Sequence, residues 1–228
     1  MEYQVVELFD SIEGEGLRTG QPATFIRLAG CNLRCTYCDT QYALFGEAEP
    51  CRYEIMTAEE ILARVNPYFR RVTLTGGEPL LAPGAAALCG MLARRGYAVN
   101  IETNGAVDIQ EFSKACTGMD KIFFTIDYKL PYSGMEETMI WRNFEILRPQ
   151  DVLKFVVGSE ADARRMVEVM QKLSGIWKQP PHVFCGVVFG AYDLERLTHL
   201  ILSEPVCRNM RIQVQLHKII WAPEERGV

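Results

Sequence analysis

The sequence predicts an α/β protein built as a partial (β/α) barrel with about six mainly parallel strands. Short apolar segments alternate with helical patterns along most of the chain, and no linker or low-complexity segment interrupts the alternation. The strands number fewer than the eight of a full (β/α) barrel, and the pattern alone leaves open whether the sheet closes. A chain of 228 residues suits one such domain, and we assign residues 1–228 to it.

The predicted strands are short and rich in apolar residues, at 23–30, 71–77, 98–105, 121–129, 152–158, 182–190 and 211–220. The predicted helices lie between them, at 57–69, 84–96, 108–118, 137–148, 159–175 and 193–204. Thr57 and Glu60 have the spacing of a capping box at the start of the first helix, and Gly96 occupies the position that ends the second. Asp108 and Glu111 stand at capping positions of the third helix.

The composition excludes several classes of protein. With 48% hydrophobic and 23% charged residues, the chain can bury a full core without disulfides. Its net charge of −5 and pI near 5.4 argue against a protein that clamps a nucleic acid by its phosphates. There is no basic, apolar leader and no apolar stretch approaching the ~20 residues of a membrane span. We therefore expect a cytoplasmic protein with reduced thiols, no stable nucleic-acid partner and no membrane contact.

Three of the eight cysteines, Cys31, Cys35 and Cys38, fall in one loop after the first predicted strand. A structural zinc site takes four ligands, and no second cysteine pair or nearby histidine follows. An iron–sulfur cluster normally takes four thiolates, so three would leave one iron open to a substrate or cofactor. We favour such a cluster as the hypothesis. The other cysteines are interpreted as small buried hydrophobes; they are Cys51, Cys89, Cys116, Cys185 and Cys207.

Polar residues and glycines follow the other predicted strands at the same end. These segments are Thr75-Gly76-Gly77-Glu78-Pro79, Glu102-Thr103-Asn104-Gly105, Asp127-Tyr128-Lys129 and Gln215-Leu216-His217-Lys218. Each has an ordinary explanation when taken singly, as a turn, a helix cap or a solvated rim. In parallel α/β architectures the carboxyl ends of the strands carry the chemistry, so together with the cysteine loop they indicate an active site.

The spacing Cys31-x-x-x-Cys35-x-x-Cys38, with Tyr37 before the last cysteine, resembles the signature of the radical S-adenosylmethionine (SAM) enzymes. Gly76-Gly77-Glu78-Pro79 resembles the second motif of that superfamily. The segments "ELFDSIEGEGLRTGQPATFIRLAGCNLRCTYCDT" (7–40) and "QLHKIIWAPEERGV" (215–228) are similar to the 7-carboxy-7-deazaguanine synthase family, whereas residues 80–205 align only loosely.

This resemblance implies a radical SAM lyase of queuosine and 7-deazapurine biosynthesis. The family contracts 6-carboxy-5,6,7,8-tetrahydropterin to 7-carboxy-7-deazaguanine with loss of ammonia, using a 5′-deoxyadenosyl radical from SAM to abstract a hydrogen from C6. It implies a [4Fe-4S] cluster, SAM and Mg²⁺ as cofactors. It also implies a flavodoxin or ferredoxin as electron donor, and a homodimer.

The resemblance assigns roles to individual residues. The cluster ligands are Cys31, Cys35 and Cys38, and the magnesium ligand is Thr40. The residues implied to bind SAM are Tyr37, Cys38, Asp39, Gly77, Asp127, Tyr128 and Lys129. The residues implied to bind the pterin are Ile12, Glu13, Gly14, Glu15, Arg27, Thr75 and Val228. Arg27 would fork onto the substrate carboxylate, and Val228 would offer its α-carboxylate to pterin N–H groups.

Several alternatives stay open at this point. The family often has Gln at the position of Glu13, and some relatives have Ser-Pro-Lys where this chain has Asp127–Lys129. Thr40 has an ordinary interpretation as a turn hydroxyl, and the end of the chain at Val228 as a frayed tail. Other functions to weigh are a radical SAM activase that places a glycyl radical on a partner enzyme, a zinc- or cluster-stabilised binding module, and direct modification of tRNA.

Overall fold

The computed structural model describes residues 1–46, 50–222 and 225–228. The strands are β1 (Glu2–Ile12), β2 (Pro22–Leu28), β3 (Glu54–Thr57), β4 (Arg71–Gly76), β5 (Ala98–Thr103), β6 (Ile122–Tyr128), β7 (Val152–Val157), β8 (His182–Val187) and β9 (Arg211–Ile212). The helices are α1 (Ala58–Arg64), α2 (Ala85–Arg94), α3 (Gln110–Ala115), α4 (Trp141–Glu145), α5 (Glu160–Ser174), α6 (Leu194–Ser203) and α7 (His217–Ile220).

The strands of the described residues form one sheet in the order β3-β1-β2-β4-β5-β6-β7-β8-β9. The seven neighbouring strands β2, β4, β5, β6, β7, β8 and β9 are parallel to one another. Strand β1 is antiparallel to both of its neighbours, β2 and β3. Strands β3 and β9 are the two edges, so the sheet is open. This confirms the predicted fold class, a mainly parallel partial barrel. That residues 1–228 form a single domain stays a prediction.

The parallel strands carry apolar residues on one face and mainly polar residues on the other. This difference decides where the core and the cavity lie. Outward positions such as Leu74, Ile101 and Ile126 are fully buried in the hydrophobic core beneath the helices. Most residues between them are polar, among them Thr75, Glu102 and Thr125, and these face the opposite side of the sheet, toward the cavity described below. This alternation, with its period of two, places polar groups on the inner face along the length of the strands and not only at their ends.

Several predicted helix boundaries are confirmed by the capping contacts. Thr57 and Glu60 form the capping box of α1, with Thr57 N donating to Glu60 Oε2 over 2.7 Å. Gly96 follows α2 with φ +94, the left-handed conformation that glycine adopts readily. The helix predicted over 137–148 is reduced to α4, the turn before it being a short 3-10 segment, Glu136–Thr138.

Two parts of the sheet differ from the prediction. Strands β1 and β3 were not predicted; β1 alternates buried Tyr3 and Val5 with exposed residues, but acidic residues interrupt the apolar pattern. The predicted strand 211–220 is only the two residues of β9, followed by α7. Just after β9, Gln213 N still donates to Cys185 O of β8 over 2.9 Å, while the Gln213 side chain donates to Glu15 and accepts from Gly16 N.

Candidate active site

A cavity of about 1290 Å³ opens at the carboxyl ends of the parallel strands. It is lined by residues from both ends of the chain and from every long parallel strand from β2 to β7. The predicted site residues that line it are Ile12, Gly14, Glu15, Arg27, Cys31, Cys35, Tyr37, Cys38, Asp39, Thr40, Thr75, Gly77, Asp127, Lys129 and Val228. The fold therefore brings together residues that lie more than 200 positions apart in the sequence.

The three cysteines of the loop after β2 are half-buried free thiols, all facing the cavity. Arg34 shapes the loop, because its guanidinium donates to the carbonyl oxygens of Cys31 at 3.0 Å, Leu33 at 2.8 Å and Phe45 at 2.7 Å. Three free thiols on one loop that line the same cavity suit an iron–sulfur cluster, which thiolates hold. Within the described residues, no three His, Cys, Asp or Glu side chains are grouped as ligands of a single metal ion.

The Gly-Gly-Glu segment after β4 packs directly against the cysteine loop. A Cβ on Gly77 would lie 2.1 Å from the carbonyl oxygen of Gly30 and 2.8 Å from Cys31 Cβ. Gly77 N donates to Leu28 O over 3.1 Å, and Glu78 N donates to Gly30 O over 2.8 Å. The glycine is required for this close approach, and it leaves open backbone beside the cysteines where a ligand could approach.

Glu78 is 1% exposed, and its carboxylate points away from the cavity into a set of donors. It accepts from Leu80 N at 3.0 Å, from the Thr103 hydroxyl at 2.8 Å and from Asn104 N at 2.7 Å. Burial raises the pKa of Glu78 to about 7, although these three donors act in the opposite direction. Glu78 therefore ties the end of β5 to the cysteine loop.

The raised pKa of Glu78 predicts a pH-dependent stability. In the unfolded chain the carboxyl has its ordinary pKa of 4.5, so the folded protein binds the proton more tightly. This contribution is fully present below about pH 4.5 and is lost as the pH rises through about 7, a change of roughly 3 kcal/mol. The Glu13 carboxyl, whose pKa burial also raises to about 7, adds a similar slope.

Urea unfolding between about pH 4.5 and 8 measures this slope. The neutral variant Glu78→Gln is expected to remove about half of the fall in the free energy of unfolding. An unchanged slope in Glu78→Gln would show that the Glu78 carboxyl titrates in the folded protein as it does in the unfolded chain.

A largely buried network of four charges lines the cavity. Lys129 Nζ lies 2.6 Å from Asp127 Oδ2, and Lys154 Nζ lies 3.2 Å both from Asp127 Oδ1 and from Glu15 Oε2. Burial opposes the charge of both lysines, but the neighbouring carboxylates raise the pKa of Lys129 and of Lys154 above their ordinary values. Burial likewise opposes the charge of Asp127, yet Lys129 and Lys154 hold the pKa of that carboxyl below its usual range.

Tyr37, Asp39 and Thr40 form the outer wall of the cysteine loop. The Tyr37 ring stacks on Tyr132 with centroids 6.2 Å apart, and Lys129 Nζ lies 5.9 Å from the Tyr37 centroid. Thr40 donates to Asp39 Oδ1 over 3.0 Å. Asp39 Oδ2 also lies 3.0 Å from Lys218 Nζ, which ties the loop to α7 near the end of the chain. The oxygens of Asp39 and Thr40 are of the kind that Mg²⁺ binds.

The predicted pterin residues Arg27, Thr75 and Gly14 line the same cavity as the cysteine loop. Arg27 donates through Nε to Glu7 Oε2 over 2.9 Å, and its guanidinium lies 5.8 Å from the Tyr42 ring centroid. The Thr75 hydroxyl donates to Glu102 Oε2 over 2.9 Å. Gly14 is held by the far end of the chain, since its carbonyl accepts from Leu216 N and a Cβ there would lie 2.2 Å from His217 Nδ1.

Two predicted binding residues do not line the cavity with their side chains. Glu13 is 2% exposed, forms an ion pair with Arg18 at 3.2 Å and accepts from the Thr73 hydroxyl. Its carboxylate is therefore committed to a buried ion pair, which leaves the backbone of Glu13 for the predicted contact with the pterin. That contact stays a prediction. The Tyr128 side chain packs in the core against Phe144 and donates its hydroxyl to Glu136, which leaves the backbone of Tyr128 for the predicted contact with SAM. That contact also stays a prediction.

The sequence interpretation assigned no ligand contact to several residues that line the cavity. Glu102, Asn104 and His217 stand in the segments that indicated an active site, whereas Thr125 and Lys154, within strands, were not singled out. For Thr125 and Lys154 the available signal was polar residues at every second position of otherwise apolar strands. Register confirms the pattern, because Arg27 pairs with Thr75, Glu102 with Thr125, and Asp127 with Lys154.

The fold and this cavity define a radical SAM enzyme. A family model described as the radical SAM superfamily matches residues 25–129. The chain is 40% identical to the 7-carboxy-7-deazaguanine synthase of Clostridium acetobutylicum over 230 residues, covering 100% of both chains. It is 34% identical to the enzyme of the same name from Leptospira interrogans, covering 98% of this chain and 97% of the relative.

The crystal structure of QueE from Escherichia coli superposes with a TM-score of 0.72 at 26% identity, covering 94% of each chain. On these similarities the chain belongs to the 7-carboxy-7-deazaguanine synthase family, as the sequence resemblance predicted.

Proposed function

We propose that this protein converts 6-carboxy-5,6,7,8-tetrahydropterin to 7-carboxy-7-deazaguanine with loss of ammonia, as a radical SAM lyase. The single observation that supports this most strongly is the cavity itself, where three free thiols of one loop face a wall of polar side chains from five strands. When bound, a [4Fe-4S] cluster and SAM supply the reductive radical chemistry. The protein supplies the positions of the reactants, the charges around them and shelter from water.

On the cofactor side, Cys31, Cys35 and Cys38 would hold the cluster. Backbone of Tyr37–Asp39 would border the adenine of SAM, and the space beside Gly77 would admit its methionyl part. Asp127 and Lys129 would orient SAM through charges that their mutual ion pair already fixes. Thr40, with Asp39 beside it, would offer oxygen to Mg²⁺, whose shell substrate and water would complete.

On the substrate side, Arg27 would fork onto the pterin carboxylate with the two guanidinium nitrogens that do not contact Glu7. Thr75 and Glu15 would meet the polar edge of the ring, Glu15 being held by Lys154 and by Gln213 Nε2 at 3.0 Å. Backbone groups of Ile12 and Gly14 would complete the contact. The Glu13 carboxylate would act only indirectly, because it is held in its ion pair with Arg18. Val228 lines the cavity, and its contact with the pterin stays a prediction.

We further propose a cytoplasmic location, a flavodoxin or ferredoxin as electron donor and a homodimeric state, all from the family resemblance. All eight cysteines are free thiols, which is consistent with a reducing compartment. Within the described residues, no helix is sufficiently long and apolar to traverse a membrane. No feature of the cavity favours the activase, the zinc module or direct action on tRNA.

The test is anaerobic incubation of the cluster-reconstituted protein with SAM, Mg²⁺, dithionite and the carboxylated tetrahydropterin. The proposal expects 7-carboxy-7-deazaguanine, identified by mass and absorbance. Formation of 5′-deoxyadenosine without the deazaguanine would retain the superfamily chemistry and reject the substrate. Transfer of a radical to a glycine-bearing partner protein would favour the activase.

Arg27→Gln is expected to raise KM for the pterin on the order of tenfold to a hundredfold, because it removes charge-assisted hydrogen bonds to the substrate carboxylate. Steady-state kinetics measures the effect. Arg64→Gln is the matched control, since Arg64 pairs with Glu54 on the exposed surface. Equal KM values for the two variants would remove Arg27 from the substrate site.

A further inference from the structure

The side chain of Asn104 reaches a cluster cysteine from a different strand. Asn104 follows β5, and its Nδ2 lies 3.5 Å from Cys31 Sγ and 2.9 Å from Asn32 Oδ1. Its Oδ1 accepts from Ala106 N over 2.9 Å, which fixes the orientation of the amide with nitrogen toward the sulfur. The distance is that of an N–H···S hydrogen bond, and Asn104 is only 7% exposed.

The position of Asn104 is fixed by the Gly-Gly-Glu segment. Its backbone N donates to Glu78 Oε2 over 2.7 Å, and the preceding residue, Thr103, donates its hydroxyl to Glu78 Oε1. Cys31 Sγ also accepts from Leu33 N at 3.4 Å. The Cys31 sulfur thus accepts one backbone donor from its own loop and one side-chain donor carried by a distant strand.

We propose that Asn104 is a positioning residue that raises the reduction potential of the cluster by donating a hydrogen bond to the Cys31 sulfur. A donor at a cysteine sulfur stabilises negative charge there, and the reduced cluster carries one more negative charge than the oxidised one. The donor therefore favours the reduced cluster, the form from which an electron leaves. Glu78 contributes indirectly, by holding Asn104 against the loop. This inference depends on the three-cysteine cluster of the proposed function.

A purely structural role for Asn104 makes a different prediction. If the amide only pinned Asn32 and the loop, its removal would change the stability or the iron content but not the potential of clusters that assemble. The potential therefore separates the two roles, and it is measured without turnover.

The experiment is a redox titration of the reconstituted full chain, followed by electron paramagnetic resonance of the reduced cluster, with iron and sulfide analysis of every sample. Asn104→Ala is expected to shift the midpoint potential to a more negative value. The ratio of reduced to oxidised cluster at a fixed potential should fall on the order of tenfold. Asn104→Asp, which keeps the acceptor for Ala106 N and replaces the donor by an oxygen, is expected to shift it in the same direction.

The matched control is Thr36→Ala, in the same loop, where the Thr36 hydroxyl donates to Tyr132 O and not to a sulfur. Its potential should equal that of the unmodified chain. The inference would be overturned if Asn104 variants with a full complement of iron and sulfide had the same midpoint potential as the unmodified chain. The proposed function would be left intact. An unmodified chain that takes up no cluster would overturn the proposed function itself, and this inference with it.

Should neither Asn104 variant assemble a cluster, the unmodified chain decides the question. Asparagine labelled with ¹⁵N only in the side-chain amide is expected to show a weak nitrogen coupling to the reduced cluster in pulsed paramagnetic resonance. The absence of that coupling would overturn the inference.

Discussion

Replacing Lys154 by methionine is expected to lower the free energy of unfolding by roughly 3 kcal/mol, because it leaves buried carboxylates without a counter-charge. Lys154 is 8% exposed and lies 3.2 Å from carboxylate oxygens of both Glu15 and Asp127. Asp127 keeps Lys129 at 2.6 Å, so the larger effect falls on Glu15. Methionine has nearly the same volume as lysine. The substitution therefore removes the charge and largely keeps the packing.

The measurement is urea unfolding, together with equilibrium binding of the pterin to the reconstituted protein. Lys154→Met should weaken pterin binding as well, because Glu15 loses one of the two groups that hold it, Gln213 being the other. Lys154→Arg keeps a positive charge. It is therefore expected to retain more of the free energy of unfolding and more of the affinity for the pterin than Lys154→Met does. Arg64→Met, which breaks an exposed pair with Glu54, should change stability by less than about 1 kcal/mol. A Lys154→Met protein as stable as the Arg64 variant would contradict the assigned network.

Gly77→Val is expected to abolish both cluster assembly and product formation. The added Cβ would lie 2.1 Å from Gly30 O, a backbone atom that cannot swing aside, so the cysteine loop itself has to move. Such overpacking of a well-packed site costs roughly 1–3 kcal/mol or more, and displacement by about an ångström is enough to disturb a three-ligand site. Iron content and product yield are the two quantities to measure.

Gly175→Ala is the matched control for that substitution. A Cβ on Gly175 would lie 3.6 Å from Lys172 O, an ordinary contact at the end of α5 far from the cavity. Its iron content and turnover should match the unmodified chain. If Gly77→Val bound a full complement of iron, the tight packing between the Gly-Gly-Glu segment and the cysteine loop would not be a requirement of the site.

The parts of the site that the sequence predicted are local. Cys31, Cys35 and Cys38 lie within eight residues, and the Gly76–Pro79 segment sits at the end of one strand, so spacing alone carries the signal. The alternation of strands and helices fixes which ends of the strands meet, and thus that these segments share a cavity. The structure of these elements is determined by residues that lie close together in the sequence.

The parts that were missed depend on contacts between distant segments. Lys154 meets Glu15 across 139 positions, and Gln213 meets it across 198. Glu13 carries an acidic group at a predicted binding position, yet Arg18 and Thr73 take that group into the interior. Only the assembled sheet decides which of two neighbouring residues, Glu13 or Glu15, faces the cavity.

Strand β1 illustrates the same limit on the fold. Its residues Glu7 and Asp10 interrupt the apolar pattern, but both are satisfied by the neighbouring strand, Glu7 by Arg27 at 2.9 Å and Asp10 by the Thr24 hydroxyl at 2.6 Å. A strand whose polar residues find their partners in other segments of the chain gives a weak signal when its sequence is considered alone.

The cavity has its proposed chemistry only if the protein leaves one metal position free for SAM. The most direct measurement is pulsed paramagnetic resonance of the reduced, reconstituted chain with SAM labelled by ¹⁵N and ¹⁷O in its amino and carboxylate groups. We predict strong couplings from both labels, together with about four irons and four sulfides per chain. A cluster without these couplings, or a single zinc in place of iron, would contradict the account.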